Sequence, residues 1–367
     1  MKKIICALTA LCISLSAFLT GCGYKYADLE LRGSYSDELK GTELNVYNWG
    51  EYISDGGEGS VDVNREFEKL TGIKVNYTTF ESNETMYSQL KSGGVNYDII
   101  IPSDYMIERM IKEDMLEKID VKSLSNYELI DDRYKGLYFD ENEEYSVPYN
   151  VGMVGIIYNK AEIPNIEHSW NVLWDEKYKN RALNFNNPRD AFMTAQMLLG
   201  QDLNTVNKSD WDAAAELLKK GKANLQSYVM DEVFGKMETG EADVAPYYAG
   251  DYLVMKENNE DLDFFYPEEG TNIFVDSVCV PKGAKNLKAA MLYINFLLEP
   301  DIALANAEYI GYASPNTAVV ENKDYCYYGS KILYPSESER PKTQYYHDID
   351  PDIRAYYEDL WLQVKLY

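Results

Sequence analysis

Histidine is almost missing from this chain: only His168 and His347 occur among 367 residues. With no G-x-S-x-G turn either, a nucleophilic hydrolase has little support. No G-x-x-x-x-G-K-[ST] loop occurs. Gly57-Glu58-Gly59 begins a dinucleotide fingerprint, but Asp62 stands at its third glycine. Ligand spacing for a zinc site is absent, so no metal and no cofactor is expected. Bases are scarce, 35 against 61 acids for a formal charge of −26, which argues against nucleic acid and its need for a basic footprint. Beyond residue 22 no stretch is apolar enough to span a membrane. Cysteine is sparse there too. Cys279 and Cys326 read as two buried thiols rather than a disulfide, because a chain with room for real cores needs no staples.

What is abundant is acid and tyrosine. A strongly negative field attracts cations and speeds their encounter. The plainer account of the charge is solubility, and Asp140-Glu141-Asn142-Glu143-Glu144 reads as a solvated face. The 33 tyrosines exceed what a core needs.

The N-terminus, MKKIICALTALCISLSAFLTGC, has a basic start, a short apolar region and a small residue before Cys22. It reads as a secretory signal over residues 1–21. Leu19-Thr20-Gly21-Cys22 resembles the lipobox of bacterial lipoproteins, whose cysteine is lipidated. The expectation is an exported protein, anchored through Cys22 to the outer face of the cell membrane. Residues 22–42 lack periodicity and read as a tether.

From Leu44 onward, short apolar runs alternate with helical stripes. Strands are expected at 44–47, 73–80 and 97–101, with helices near 61–70, 82–93 and 104–112: β-α-β-α-β-α, which implies a parallel sheet with helices on both faces. Further strands are expected at 146–158, 182–185, 223–228, 242–247 and 274–280. Helices fall near 189–199, 209–220, 230–239, 286–298, 300–309 and 352–364. No low-complexity linker separates the halves, so 145–155 and 267–276 are the segments expected to cross between two α/β lobes.

In open α/β sheets, ligands bind beyond the carboxyl ends of strands. Ring plus carboxylate recurs at those junctions. Trp49, Glu51 and Tyr52 follow the first strand; Ser103, Asp104 and Tyr105 follow the third. Asn187 and Asp190 follow 182–185, Tyr247 and Tyr248 end 242–247, and Phe274 and Asp276 enter the strand near 274. An ammonium over a ring gains about 0.5–2 kcal/mol, a buried one needs an acceptor, and methylenes pack on rings at roughly 0.8 kcal/mol per CH₂. A linear aliphatic polyamine fits this pairing. Several residues also have ordinary readings. Trp49 and Tyr52 suit a core, and Asn187 with Asp190 would cap a helix starting at Pro188. Asp276 is the sharpest, because an unpaired acid inside IFVDSVCVP would be expensive.

Taken together, YNWGEY, FESNETMY, YDIIIPSDY, YSVPYNVG, IFVDS and IGYASPN resemble the spermidine/putrescine-binding component of bacterial polyamine ABC transporters. The resemblance covers most of residues 43–367. It implies a periplasmic-binding-protein-like α/β fold, each of two lobes a mostly parallel sheet flanked by helices, with the cleft between. Residues 43–155 plus 275–320 would form lobe 1, and 156–274 plus 321–367 lobe 2. It implies a non-enzymatic monomer that captures a polyamine for a membrane permease. Position by position it implies ligand contacts from Trp49, Glu51, Tyr52, Ser103, Tyr105, Asp190, Tyr248, Phe274, Asp276, Tyr312 and Tyr346, with Gln344 and Tyr345 as open alternatives to the last. Asn187 stands where the family's spermidine binders have an acid, and Tyr248 and Phe274 where they have tryptophans. Two rivals share some features: a carbohydrate-active enzyme with paired carboxylates, and a ferric-ion receptor using phenolates.

Overall fold

A computed structural model describes residues 29–367. The signal segment and Cys22 lie outside the described residues. The expected tether needs correction in its described part. Leu29, Leu31, Tyr35 and Leu39 pack onto the body of the protein. The amides of Arg32 and Gly33 and the Tyr35 hydroxyl donate to the fully buried carboxylate of Glu299 at 2.6–2.8 Å. Residues 29–39 are therefore a docked strap.

The first unit alternates as its apolar periodicity requires: β1 (Glu43–Trp49), α1 (Val63–Thr71), β2 (Lys74–Phe80), α2 (Asn83–Ser92), β3 (Ile99–Ile100) and α3 (Asp104–Lys112). Asp62 and Ser82 cap α1 and α2 by accepting from backbone amides, and Gly72 and Gly93 end them in the left-handed region. The continuous run Ile99-Ile100-Ile101 has no polar face because neighbouring residues serve opposite cores. Ile99 and Ile101 pack on the side of α1, and Ile100 on the side of α2 and α3.

The long β4 (Ser146–Asn159) leads into β5 (Ala182–Phe185), α4 (Pro188–Leu198), α5 (Lys208–Lys222), β6 (Leu225–Val229), α6 (Glu232–Glu238), β7 (Val244–Tyr248), α7 (Ala249–Asn258) and β8 (Leu262–Phe265). The chain returns through β9 (Thr271–Cys279), α8 (Leu287–Leu297), α9 (Pro300–Ile310), α10 (Thr317–Val320), β10 (Thr343–Gln344) and α11 (Pro351–Leu366). The main path of the sheet runs β2-β1-β3-β9-β4-β7-β5-β6. The expected parallel pairs are present, β1 with β2 and β3, and β5 with β6 and β7. Between them the ladder is antiparallel. β4 pairs with β9 over its first half, then with β7 and β8 over its second. One strand thus carries the sheet from one core to the other.

Sequence periodicity missed α7 and β8. Gly250 sits in the first turn of α7, where it weakens the helical signal, yet a Cβ there would strike the Tyr312 ring. The site's packing overrides local preference. Cys279 is buried and its thiol is free, as expected; Cys326 is only partly buried, contrary to expectation.

Phe67 is fully buried and meets Tyr293 and Phe296 with ring centroids 5.0 and 5.3 Å away. Phe67→Ala is expected to cost about 3–5 kcal/mol in denaturant unfolding. A loss under about 1 kcal/mol would mean that this face is not packed as described.

Candidate ligand-binding site

Where β1 ends, the backbone turns sharply: Glu51 takes a positive φ of 50°, and the next residue, Tyr52, points inward. Its hydroxyl donates to Asp276 Oδ2 at 2.6 Å. Asp276 lies in β9, opposite Asn150 of β4 and bridged to Ser103 at the start of α3. It is only 3% exposed, and its Oδ1 has no hydrogen-bond partner. Burial pushes this carboxyl up to about 6, against the lowering effect of the Tyr52 and Ser103 hydroxyls. Asp104, not among the expected contacts, is fully buried nearby. Burial raises it well above the carboxylate range. The Tyr105 amide opposes that shift and the neighbouring Asp276 adds to it.

A second carboxylate closes the other side. Asp190, 6% exposed, stands in the first turn of α4. Its Oδ2 accepts from the Tyr248 hydroxyl and from Asn187 Nδ2, both at 2.6 Å, and its Oδ1 from the Tyr346 hydroxyl at 2.9 Å. Asn187 Oδ1 accepts from the Asp190 amide at 2.9 Å. Both ends of the Asn187 amide are therefore spent on its neighbour, in the capping arrangement.

Rings connect the two carboxylates. Tyr52 meets Tyr312 at 5.5 Å, Tyr312 meets Phe274 at 6.3 Å, and Phe274 meets Tyr248 edge-on at 5.6 Å. Gly152 makes room, since a Cβ there would collide with the Phe274 ring. The Tyr312 hydroxyl donates to Asp251 at 2.9 Å. Burial lifts that half-buried acid to about 7; the Tyr312 bond opposes the shift and Asp231 adds to it. Burial also drives the Tyr52, Tyr248, Tyr312 and Tyr346 phenols well above their usual value. They are neutral donors to the buried carboxylates.

The remaining expected residues are placed as follows. Trp49 stacks obliquely on Phe80 at 4.6 Å and donates to the Ile101 carbonyl. Tyr105 donates to Glu84 and meets the Tyr346 ring edge-on at 6.1 Å. Gln344 turns away to the Leu203 amide. Glu51 is exposed, 3.5 Å from the Tyr309 hydroxyl, and is not joined to the buried cluster. Sequence reasoning passed over Asp251, although Tyr247-Tyr248-Ala249-Gly250-Asp251 repeats the pairing of ring and acid.

The model of the bacterial extracellular solute-binding protein family matches residues 63–328. A spermidine/putrescine-binding periplasmic protein of Salmonella typhimurium is 37% identical over 325 residues, 88% of this chain and 91% of its own. A putrescine-binding periplasmic protein of Escherichia coli is 28% identical over 342 residues, again 88% and 91%. Among solved structures, the spermidine/putrescine ABC transporter substrate-binding protein of Streptococcus pneumoniae superimposes with a TM-score of 0.76 at 34% identity, over 89% of this chain and 99% of that one. A lipoprotein of Treponema pallidum does so with 0.78 at 28% identity, over 89% and 100%.

The raised Asp276 carboxyl makes a stability prediction. The folded chain holds a proton on Asp276 up to about pH 6, whereas the unfolded chain releases it near 4. Its contribution to stability therefore falls as pH rises through that window, and the burial penalty is complete above it. Asp276→Asn is expected to stabilise the ligand-free protein at pH 7.5 by about 1–3 kcal/mol, from roughly 1.4 kcal/mol for each pH unit between the folded and unfolded titrations, and hardly at all at pH 4. Equal melting of the two proteins at both pH values would contradict a buried, strained carboxylate.

Proposed function

The chain belongs to the bacterial extracellular solute-binding protein family, and from that premise we propose that it captures a polyamine, putrescine or spermidine, for an ABC-transporter permease. The observation that carries this reading is the pair of buried carboxylates, Asp276 and Asp190, joined by the rings of Tyr52, Tyr312, Phe274 and Tyr248. Each acid has neutral hydroxyl donors around it and neither takes part in an ion pair among the described residues. An ammonium at either end supplies the missing positive charge, and an aliphatic chain packs on the rings between. The twelve residues named from the sequence, Asn187 among them, are the proposed contact set. Asn187 acts through Asp190.

Residues 43–155 with 275–320, and 156–274 with 321–367, are the proposed lobes closing on the ligand. Lipid attachment at Cys22 is proposed from the short apolar leader and its Leu-Thr-Gly-Cys end; the likeness to the Treponema pallidum lipoprotein agrees with it. Relatives named for spermidine and putrescine binding favour this reading over a glycosidase or an iron receptor.

Putrescine or spermidine at about 100 times its dissociation constant should add about 2.7 kcal/mol of stability in a melting experiment. If neither does while an oligosaccharide is cleaved, the reading fails. Asp276→Asn, although more stable when empty, should bind about 30-fold to several thousand-fold more weakly in calorimetry, from the roughly 2–5 kcal/mol cost of unpairing a buried charge. Wild-type affinity should also fall below about pH 6, where Asp276 must lose a proton to meet the ammonium. An affinity within threefold of wild type would remove Asp276 from the site.

For the anchor, Cys22→Ala should lose incorporation of labelled fatty acid and should leave the membrane fraction or accumulate uncleaved. Unchanged labelling and fractionation would place the attachment elsewhere.

A further inference from the structure

Tyr346, which donates to Asp190, is followed at once by two residues that reach a different part of the molecule. The segment 343–348 is held from one side by the second core. Asn204 Nδ2 donates to the Tyr345 carbonyl, and the His347 amide donates to Asn204 Oδ1. Arg189 lays its guanidinium 4.5 Å from the Tyr346 ring centre. Behind the segment, α11 packs on α4 and α5. On the other side stands α3, which packs on β9 and buries Met106, Ile107 and Met110 in one cluster with Met86 of α2 and Ile100 of β3. Asp348 is the junction. Its carboxylate lies 3.4 Å from both Arg109 and Lys112 of α3, and its amide donates to Glu108 at 2.8 Å. The His347 ring lies 4.2 Å from Tyr138, and the Tyr138 hydroxyl donates to the Tyr346 carbonyl.

Arg109 and Asp348 are mostly shielded, with side chains 9% and 17% exposed. A shielded network with several partners can couple its members, whereas an isolated exposed pair is worth little. Its position matters more than its size. The same six residues carry a hydroxyl to the ligand-site carboxylate within their own half and an ion-pair network to the opposite half, so separating the halves would pull Asp348 off α3.

We propose that Asp348 is a positioning residue for ligand capture: by tying the 343–348 segment to α3 across the two halves, it holds the closed arrangement in which Asp190, beside Tyr346, stands opposite Asp276. The proposal rests on the polyamine reading for its ligand, but the contact itself does not. Asp348 touches no residue of the contact set through its side chain, so its loss should act on how long the ligand stays rather than on what is recognised.

The test compares wild type, Asp348→Asn, Asp348→Glu and Lys112→Asp by stopped-flow measurement of putrescine binding. Asp348→Asn should speed dissociation by about 3- to 30-fold, for roughly 0.7–2 kcal/mol of lost coupling, with association nearly unchanged. Asp348→Glu should restore most of the loss. Lys112→Asp, which sets a like charge against Asp348, should also speed dissociation. Small-angle scattering on the same proteins without ligand gives a second readout: Asp348→Asn should be more open than wild type. Identical dissociation rates in Asp348→Asn and wild type, or a slower association with unchanged dissociation, would overturn the proposal. If wild type binds no polyamine, the polyamine reading falls, and the scattering comparison decides the proposal alone, with unchanged dimensions counting against it.

Discussion

The structure depends on keeping carboxylates ionisable where water is excluded. Burying an unpaired acid is costly, and the usual remedy is a lysine or arginine partner. That remedy would defeat a cation receptor, because the partner would already neutralise the charge the ligand must meet. Tyrosine resolves the conflict. Its hydroxyl satisfies an oxygen lone pair while leaving the negative charge uncompensated, and its ring offers a face for an ammonium or a methylene chain. Tyr52 does this for Asp276, Tyr248 and Tyr346 for Asp190, and Tyr312 for Asp251. The surplus of tyrosine in the composition is the trace of this requirement.

The remedy is incomplete, and the remainder is borne by the scaffold. Asp276 keeps one oxygen without a partner, and Asp104 lies fully buried beside it. Such sites are tolerated where the rest of the fold over-determines them. Here three separate cores, one built on β1, α1, α8 and α9, one on the α2 and α3 face and one on the β4–β7 half, hold the strands that carry the acids. The long β4 runs through all three and pairs with β9, and that pairing places Phe274 and Asp276 between the halves.

Much of this was legible in the chain because local rules agree with the global fold over residues 43–112. Strand and helix periodicities, Asp62 and Ser82 as caps, and Gly72 and Gly93 as stops all point one way. Asp276 was legible for the opposite reason, as an acid that violates an apolar run. What was not legible depends on contacts distant in sequence. Strand direction in the middle of the sheet, the strap clasped by Glu299, and the helix at Gly250 are decided by residues 60 to more than 250 positions away. Periodicity carries none of that. Glu51 shows the limit from the other side: the loop that delivers Tyr52 inward leaves its neighbour's carboxylate exposed.

Asn187 shows how one neutral residue can shape the charge of a cleft. A carboxylate there could still accept from the Asp190 amide and cap α4. It could not donate to Asp190 Oδ2, and would instead place a second negative charge within about 3 Å of the first, where like charges raise the cost of ionising both. Asparagine caps equally well, turns that repulsion into a hydrogen bond of 2.6 Å, and leaves Asp190 as the one carboxylate at this end. Asp190 and Asp276 thus stand at the two ends of the row of rings, and position 187 adds no charge to the first. The substitution is conservative in size and in capping; its effect is on the count of charges.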